Sequence, residues 1–395
     1  MNRFVIIGCG NAGFTAAIKL REINEKYDIT LITDEDYPPY CRCLLTYFIE
    51  NRVSKRFLFE PGIESLKKFN INFIKGKKVE SVDVEKQKIK LSGGKGVNFS
   101  KLLIATGGEP AKPKFNYRRE LPIFTLRKFD DALKIKDSFK RGDTAIVEGG
   151  GLVSLKALLA LREIGVKIKW IVKSDYILSF LIDKFSGEFI KDIVLEKGGI
   201  EIFNNDSITD VTINGDKLII KTEKGKEFEA AGVIVGKGVK PTPLNFTKEI
   251  RFKDGYLTND FLETSISNIY AAGDCNIVYD IAHNKRWKVP LWPLAGEQGI
   301  VAAYNMAFGN IREYFGATAI NSFSIYENNI ITGGKKKIYE NETIDFFEKV
   351  SVIKEGKILK KFIYKDDSLK GFVLVNDIKN AGKYLWQIRE NRKEA

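Results

Sequence analysis

The chain has 395 residues, enough for two or three domains with sizeable cores, and its 44% apolar content is ordinary for a globular protein. Lys plus Arg number 64 against 51 Asp plus Glu, a formal charge of +13 spread along the whole length with short clusters at Lys335-Lys336-Lys337 and Lys360-Lys361. No apolar run approaches the ~20 residues that span a bilayer. No nucleic-acid motif or aromatic-interleaved basic stripe is present, and a single histidine, His283, leaves little room for Ser-His-Asp or Cys-His hydrolase chemistry.

The four cysteines, Cys9, Cys41, Cys43 and Cys275, form no CxxC and no metal-ligand spacing, so neither zinc nor an iron–sulfur cluster is expected. The first apolar run lacks a cleavage-site pattern and is consumed by a glycine turn, which places the chain in the cytoplasm as an expectation. The positive charge predicts either a solvated lysine-rich surface or the docking of an acidic protein.

In chain order, residues 4–17 (FVIIGCGNAGFTAA) read as a strand over Phe4–Ile7, a glycine turn, and a helix from Phe14. Gly8 allows the tight turn, Gly10 leaves bare backbone for a pyrophosphate, and Gly13 lets the helix pack close to the strand, with Cys9, Asn11 and Ala12 between them. The helix start offers unpaired N–H groups to phosphates. About twenty residues on, a second strand (Ile29–Thr33) ends in Asp34-Glu35, where a carboxylate suits a ribose hydroxyl. A bound dinucleotide is expected here.

A proline-marked loop, DYPPYCRCLLTYF, leads into a helix, and residues 57–70 read as another. Strand patterns follow at Ile71–Lys75, Ile89–Leu91 and Leu102–Ala105, the last ending in Thr106-Gly107-Gly108 where the chain leaves the first domain. A second strand–turn–helix comes at Thr144–Val147 and Gly149-Gly150-Gly151-Leu152-Val153-Ser154, its helix reaching Glu163. Strands at Ile168–Val172, 200–203, 208–213, 217–222 and Ala231–Val235, with a helix over 180–197, complete this unit before Gly236-Lys237-Gly238. The dinucleotide unit is therefore duplicated, the second copy inserted in the first. The first domain resumes with SNIYAAGDCN (267–276), delivering Gly273-Asp274 at a strand end, and LWPLAGEQGIVAAYNM (291–306), a helix expected to carry Glu297-Gln298-Gly299 in its first turn. Alternating strands from Gly316 and an amphipathic helix, Ala381–Glu390, form a small α+β module.

Taken together and in this order, the GxGxxG turn, the ATGG turn, the second glycine turn and YAAGD resemble the FAD-dependent pyridine nucleotide-disulfide oxidoreductase superfamily. Within it, DEDYPPYCRCLL resembles the loop of the rubredoxin and ferredoxin reductases, shared by the flavin module of nitrite reductases and by apoptosis-inducing-factor-like proteins, and DDSLKGFVLVNDIKNAGKYLWQIRE resembles that group's C-terminal interface domain. The resemblance implies an α/β fold of two Rossmann-like domains plus an interface domain, with an FAD domain over 1–112 and 240–315, an NAD(P) domain over 113–239, and the interface domain over 316–395.

It further implies roles for individual residues. Gly8, Gly10, Asn11, Ala12 and Gly13 lie at the FAD pyrophosphate. Asp34, eight positions before Arg42, takes the adenosine ribose, with Glu35 its close competitor. Arg42 flanks the flavin, Ala105, Thr106 and Gly107 close over the cofactor, and Gly273 and Asp274 meet the ribityl chain or pyrophosphate. The helix start at Glu297 and Gln298 directs its dipole at the flavin's pyrimidine edge. Gly149, Gly151, Leu152, Val153 and Gly238 line the nicotinamide nucleotide.

Three departures stand out. Ser154 replaces the third glycine of the second turn. Lys156 stands where relatives carry a glutamate facing the nicotinamide, and Tyr47 where they carry its lysine partner; Lys156 either acts near the flavin or is solvated on a cleft wall. Val172-Lys173 occupies the position that is acidic for NADH, so Lys173 suits a 2′-phosphate and NADPH, is an ordinary surface lysine, or belongs to a weak nucleotide site. Cys43 falls close to where oxidases, peroxidases and coenzyme A disulfide reductases carry a redox cysteine, with Cys41 nearby. Cys9 and Cys275 are read as packing residues.

The preferred reading is an FAD-dependent NAD(P)H oxidoreductase passing electrons to a small acidic carrier of rubredoxin or ferredoxin type. A Cys43-dependent oxidase, peroxidase or disulfide reductase, and a flavin subunit or regulatory flavoprotein with a degenerate NAD(P) site, stay open. So do monomer, homodimer and subunit of a larger redox complex.

Overall fold

The computed structural model describes residues 3–118, 120–335, 346–353, 356–365 and 368–390. The chain divides into two compact units. One comprises Met1–Cys41, Lys55–Glu109 and Lys240–Ala319, the other Arg42–Ser54, Pro110–Val239 and Ile320–Ala395.

The first unit is built on a parallel five-stranded sheet in the order Ile269–Ala271, Lys101–Ile104, Arg3–Ile7, Asp28–Ile32, Asn72–Ile74. Its central strand is apolar at every position from Phe4 to Ile7 because both faces are covered. Phe4 and Ile6 pack with Ala16, Leu20, Ala302 and Met306 of the helices Asn11–Ile23 and Trp292–Phe308. Val5 and Ile7 join Val82, Ile89 and Leu91 of the antiparallel strands Val79–Asp83 and Lys88–Leu91 on the other side. Alternate residues of one strand thus belong to two separate cores.

The second unit repeats this plan. Its parallel sheet runs Ile200–Asn204, Lys167–Val172, Thr144–Glu148, Gly232–Val235, Ile123–Phe124. In both sheets the strand before the glycine turn is central, with the next strand of its βαβ unit on one side and the closing strand on the other. An antiparallel layer, Ile208–Asn214, Lys217–Thr222 and Glu227–Ala230, accompanies it. The same unit carries a five-stranded antiparallel sheet in the order Ile320–Ile325, Asn328–Gly334, Ser368–Val375, Gly356–Lys365, Phe346–Ile353, with the helix Ala381–Glu390. The fold is α/β: two Rossmann-like domains, the second inserted in the first, and a small C-terminal α+β domain.

Several boundaries differ from the sequence reading. The first helix begins at Asn11 rather than Phe14, because Asn11, Ala12 and Gly13 form its opening turn. The helix expected over 180–197 covers Lys184–Leu195, started by Asp183, whose carboxylate accepts from the Ser186 N–H. The helix Trp292–Phe308 opens on Trp292-Pro293, so Glu297 and Gln298 sit in its second turn. Phe129–Ser138 is helical with no sequence expectation attached. Lys336 and Lys337 lie outside the described residues. Among the described residues no helix is long and apolar enough to cross a membrane.

Candidate functional site

The first glycine turn leaves the carboxyl end of Arg3–Ile7, and each glycine has a distinct steric reason. Gly8 has φ +107°, and a Cβ there would lie 2.1 Å from the Ala105 carbonyl oxygen. A Cβ at Gly13 would lie 2.0 Å from the Gly8 carbonyl oxygen, whereas one at Gly10 would meet no atom of the described residues within 4 Å. Gly10 is thus not demanded by packing; its backbone borders open space. It also begins a helix with no side-chain cap and no acidic residue in the first turn. Uncapped N–H groups and the positive end of the helix dipole meet at bare backbone, an arrangement that fits a pyrophosphate. The Asp183-capped helix shows the contrasting case, where the chain supplies its own acceptor.

The other expected residues of this unit meet the turn. Ala105 and Thr106, the residues before Gly107, abut Gly8 directly. Gly273 (φ +84°) is placed so that a Cβ would approach the Ala12 Cβ to 3.1 Å. Its N–H donates to Gln298 Oε1 (2.9 Å), which also accepts from Asn276 Nδ2 (3.4 Å), and Gln298 is 1% exposed. Gln298 therefore fixes Gly273, and Glu297 beside it faces solvent. The expected dipole at Glu297-Gln298 is corrected: the helix end lies at Trp292, whose carbonyl oxygen accepts from Asn11 Nδ2 (2.5 Å). A Cβ at Gly299 would lie 2.3 Å from the Ala12 carbonyl oxygen, so the two helices touch backbone to backbone. Gly273-Asp274, Ala105–Gly107 and the Gly8–Gly13 turn thus gather at the carboxyl ends of three adjacent parallel strands, where open α/β sheets bind ligands.

The two acids after Asp28–Ile32 differ. Glu35 is buried and accepts from the Tyr40 hydroxyl (2.7 Å), while Asp34 is exposed. Cys275 is fully buried, and that burial pushes its thiol up to about 11, which makes it a packing residue. Cys9 is buried, Cys41 half-buried and Cys43 exposed. In the second unit, Arg42 donates from Nη1 to the Arg127 carbonyl oxygen (2.8 Å).

The second glycine turn copies the first with one exchange. Gly149 has φ +117°, and a Cβ there would lie 2.4 Å from the Gly236 carbonyl oxygen. Gly151 borders open space and starts the helix Leu152–Glu163 with no side-chain cap and no first-turn acid. Ser154 takes the third position, fully buried, its hydroxyl donating to the Gly236 carbonyl oxygen (3.4 Å). A Cβ at Gly236 would lie 2.1 Å from that hydroxyl oxygen, so the glycine surrendered at 154 is recovered at 236. Gly238 (φ +88°) also borders open space. Val153 and Lys173 are exposed, Leu152 is half-buried, and Val172 is fully buried. Lys156 is half-buried with its ammonium over the Tyr47 ring.

A family model for pyridine nucleotide-disulphide oxidoreductases matches residues 2–299. The chain belongs to this family. As a pyridine nucleotide-disulphide oxidoreductase it is a flavin-dependent NAD(P)H enzyme with FAD and a nicotinamide nucleotide as its cofactors. It is 32% identical over 376 residues to the NADH-rubredoxin oxidoreductase of Clostridium acetobutylicum, covering 93% of this chain and 92% of that protein. It is 26% identical to the epsilon subunit of the NADH-dependent phenylglyoxylate dehydrogenase of Aromatoleum evansii, covering 96% and 90%. Its fold matches the putidaredoxin reductase of a covalent complex with putidaredoxin at a TM-score of 0.88 and 20% identity, covering 98% of this chain and 93% of that one.

The roles that three residues of this oxidoreductase play in the fold escaped a linear reading. Gly236 was legible only as part of a turn, since its partner Ser154 lies 82 positions away. Gln298 carries no signal of its burial. Glu148, the last residue before the second turn, is 2% exposed and holds Lys237.

Proposed function

We propose that the chain accepts a hydride from NADH or NADPH on FAD and hands electrons to a small acidic carrier of rubredoxin or ferredoxin type. The observation that carries this reading is the pair of glycine turns, each opening bare backbone and an uncapped helix end at the carboxyl edge of a parallel sheet. The near full-length relation to a rubredoxin reductase supports the acceptor class, and a chain of net charge +13 suits steered docking of an acidic protein.

Bound FAD supplies the two-electron to one-electron conversion; the side chains bind, orient and set the field. Gly8, Gly10, Asn11, Ala12 and Gly13 receive the pyrophosphate, and Asp34, with Glu35 as alternative, the ribose. Ala105, Thr106 and Gly107 close over the cofactor, Arg42 flanks the flavin, and Gly273 and Asp274 hold the ribityl side while Gln298 fixes Gly273. Gly149, Gly151, Leu152, Val153 and Gly238 receive the nicotinamide nucleotide, Lys173 a 2′-phosphate, and Lys156 provides positive charge near the reacting ring. The domains are those of residues 1–112 with 240–315, 113–239 and 316–395, and the protein works in the cytoplasm.

Anaerobic mixing with each nucleotide, followed by rubredoxin or ferredoxin, tests this. Bleaching of the flavin followed by carrier reduction is expected. A flavin bleached by neither nucleotide would instead mark a flavin subunit with a degenerate second site. The exposure of Cys43 keeps a thiol-dependent reading in play. Cys43→Ser is expected to leave carrier reduction intact; selective loss of turnover with oxygen, peroxide or disulfide would favour that reading.

A further inference from the structure

Glu148 is the last residue of the strand Thr144–Glu148, and the three residues before it, Ala145, Ile146 and Val147, are apolar and fully buried. An apolar side chain would continue that core at no electrostatic cost. Instead a carboxylate is enclosed there, and burying a charge is expensive unless it is paired. Its Oε1 pairs with Lys237 Nζ at 2.6 Å and accepts from the Ile208 N–H at 3.1 Å. Among the described residues Oε2 has no hydrogen-bond partner. One carboxylate therefore ties the exit of its own strand to the exit of Gly232–Val235 and to the start of Ile208–Asn214.

Those two exits are the turns that border open space at Gly151 and Gly238. Their backbones already interlock: the Gly236 N–H donates to the Glu148 carbonyl oxygen (2.8 Å), and Gly236 leaves room for Ser154. Beyond Gly236 the ladder ends; the ion pair is the next attachment along the chain, and the Ala111 N–H, donating to the Gly238 carbonyl oxygen (2.9 Å), is the one after it. We infer that the Glu148–Lys237 pair is a positioning device for the second nucleotide site, fixing the Gly236–Gly238 turn against the Gly149–Gly151 turn so that NAD(P)H binds across both. This deepens the proposed function, since it rests on the second site binding nucleotide.

The device carries a pH dependence of defined sign. Burial is the largest influence on Glu148 and raises its pKa above the ordinary 4.5; Lys237 and the Ile208 N–H oppose that, and nearby Glu223 reinforces it. The pair exists while Glu148 is ionised. On acidification it dissolves at a pH above that of an ordinary glutamate, and nucleotide affinity falls with it.

The test uses the full-length, FAD-loaded protein and calorimetric titration with NAD+ and NADP+, which bind without reducing the flavin. Glu148→Gln and Lys237→Met are each expected to weaken binding about tenfold and to abolish the acid limb of the affinity profile, with the double variant no weaker than either single one. Comparison with Glu148→Gln at each pH cancels titration of the nucleotide itself. Hydrogen exchange is expected to quicken at residues 149–152 and 236–239 in both variants, a readout independent of turnover. Should Glu148→Gln lose its cooperative thermal transition, Lys237→Met, altered at a partly exposed residue, decides alone. Wild-type binding with variants that match it in affinity, pH profile and exchange would overturn the inference alone. A wild-type chain that binds neither nucleotide overturns the proposed second site and the inference together.

Discussion

The Lys156 ammonium lies 5.4 Å from the centroid of the Tyr47 ring, and the Arg52 guanidinium carbon lies 4.8 Å from the same ring. Two cations therefore share one aromatic side chain, each contact of a kind worth about 0.5–1 kcal/mol at exposed sites. Glu50 stands beside them. Burial raises its pKa, and the Arg52 and Lys156 charges pull the other way. Lys156, on the helix Leu152–Glu163, thus faces the Tyr47 ring of the helix Leu45–Ile49. Lys156→Glu would place a second carboxylate near Glu50 and remove the ring contact. Stopped-flow reduction of the flavin by NAD(P)H is expected to slow more than about tenfold; an unchanged rate would leave Lys156 without a part in hydride transfer.

Coenzyme choice is expected to turn on Lys173. It follows a fully buried Val172 at the end of Lys167–Val172 and is itself exposed, where a cation suits a 2′-phosphate and a carboxylate suits a 2′-hydroxyl. Lys173→Glu is predicted to lower kcat/KM for NADPH about tenfold and to leave NADH use unchanged or improved. Steady-state kinetics with both nucleotides check it, and equal losses for the two would assign Lys173 to the surface alone.

The first glycine turn separates two kinds of glycine. Gly13→Ala forces a Cβ to within 2.0 Å of the Gly8 carbonyl oxygen, and the helix must move off the strand. Gly10→Val projects into space that the fold leaves open. The first variant is predicted to fold poorly whether or not FAD is present. The second is predicted to fold with a near-normal thermal transition in the FAD-free state but to bind FAD at least about tenfold more weakly. Thermal unfolding of both apoproteins beside fluorescence titration with FAD distinguishes them.

Much of this was legible because parallel strands and glycine turns are local signals. The apolar run Phe4–Ile7 announces a strand buried on both faces, and three glycines at fixed spacing announce the turn. The misplaced helix starts have a physical origin: Gly10 and Leu291 flank the helices without a side-chain cap, so the usual start signal is missing. The helix expected from 180 is a different case: Asp183 caps it, so the start signal is present in the sequence and the expectation passes over it. What the linear text hides is compensation at a distance. Ser154 reads as a weakened motif until Gly236 is seen to yield the space, and Lys156 reads as a lost contact until Tyr47 and Glu50 are found beside it.

The only histidine supports stability rather than chemistry. His283 Nδ1 lies 3.0 Å from Asp280 Oδ2, which also accepts from the Trp287 indole N–H at 2.8 Å, while Asp280 Oδ1 accepts from the backbone N–H groups of Ala282 and His283. Burial is the largest single influence on Asp280 and pushes its pKa up, but the His283 contact and charge, the Trp287 indole and the backbone bond together bring it below 3.8. A carboxyl whose folded pKa is depressed contributes stability above its unfolded value and loses it as pH falls through the folded one. Asp280→Asn keeps an oxygen for the backbone but turns an amide N–H₂ toward the indole donor, leaving Trp287 unpaired. A loss of about 1–3 kcal/mol is expected near neutral pH, shrinking toward zero below the ordinary aspartate range, where the wild-type carboxyl is itself protonated. Urea unfolding across that range checks it, and a loss independent of pH would assign the cost to packing instead of charge.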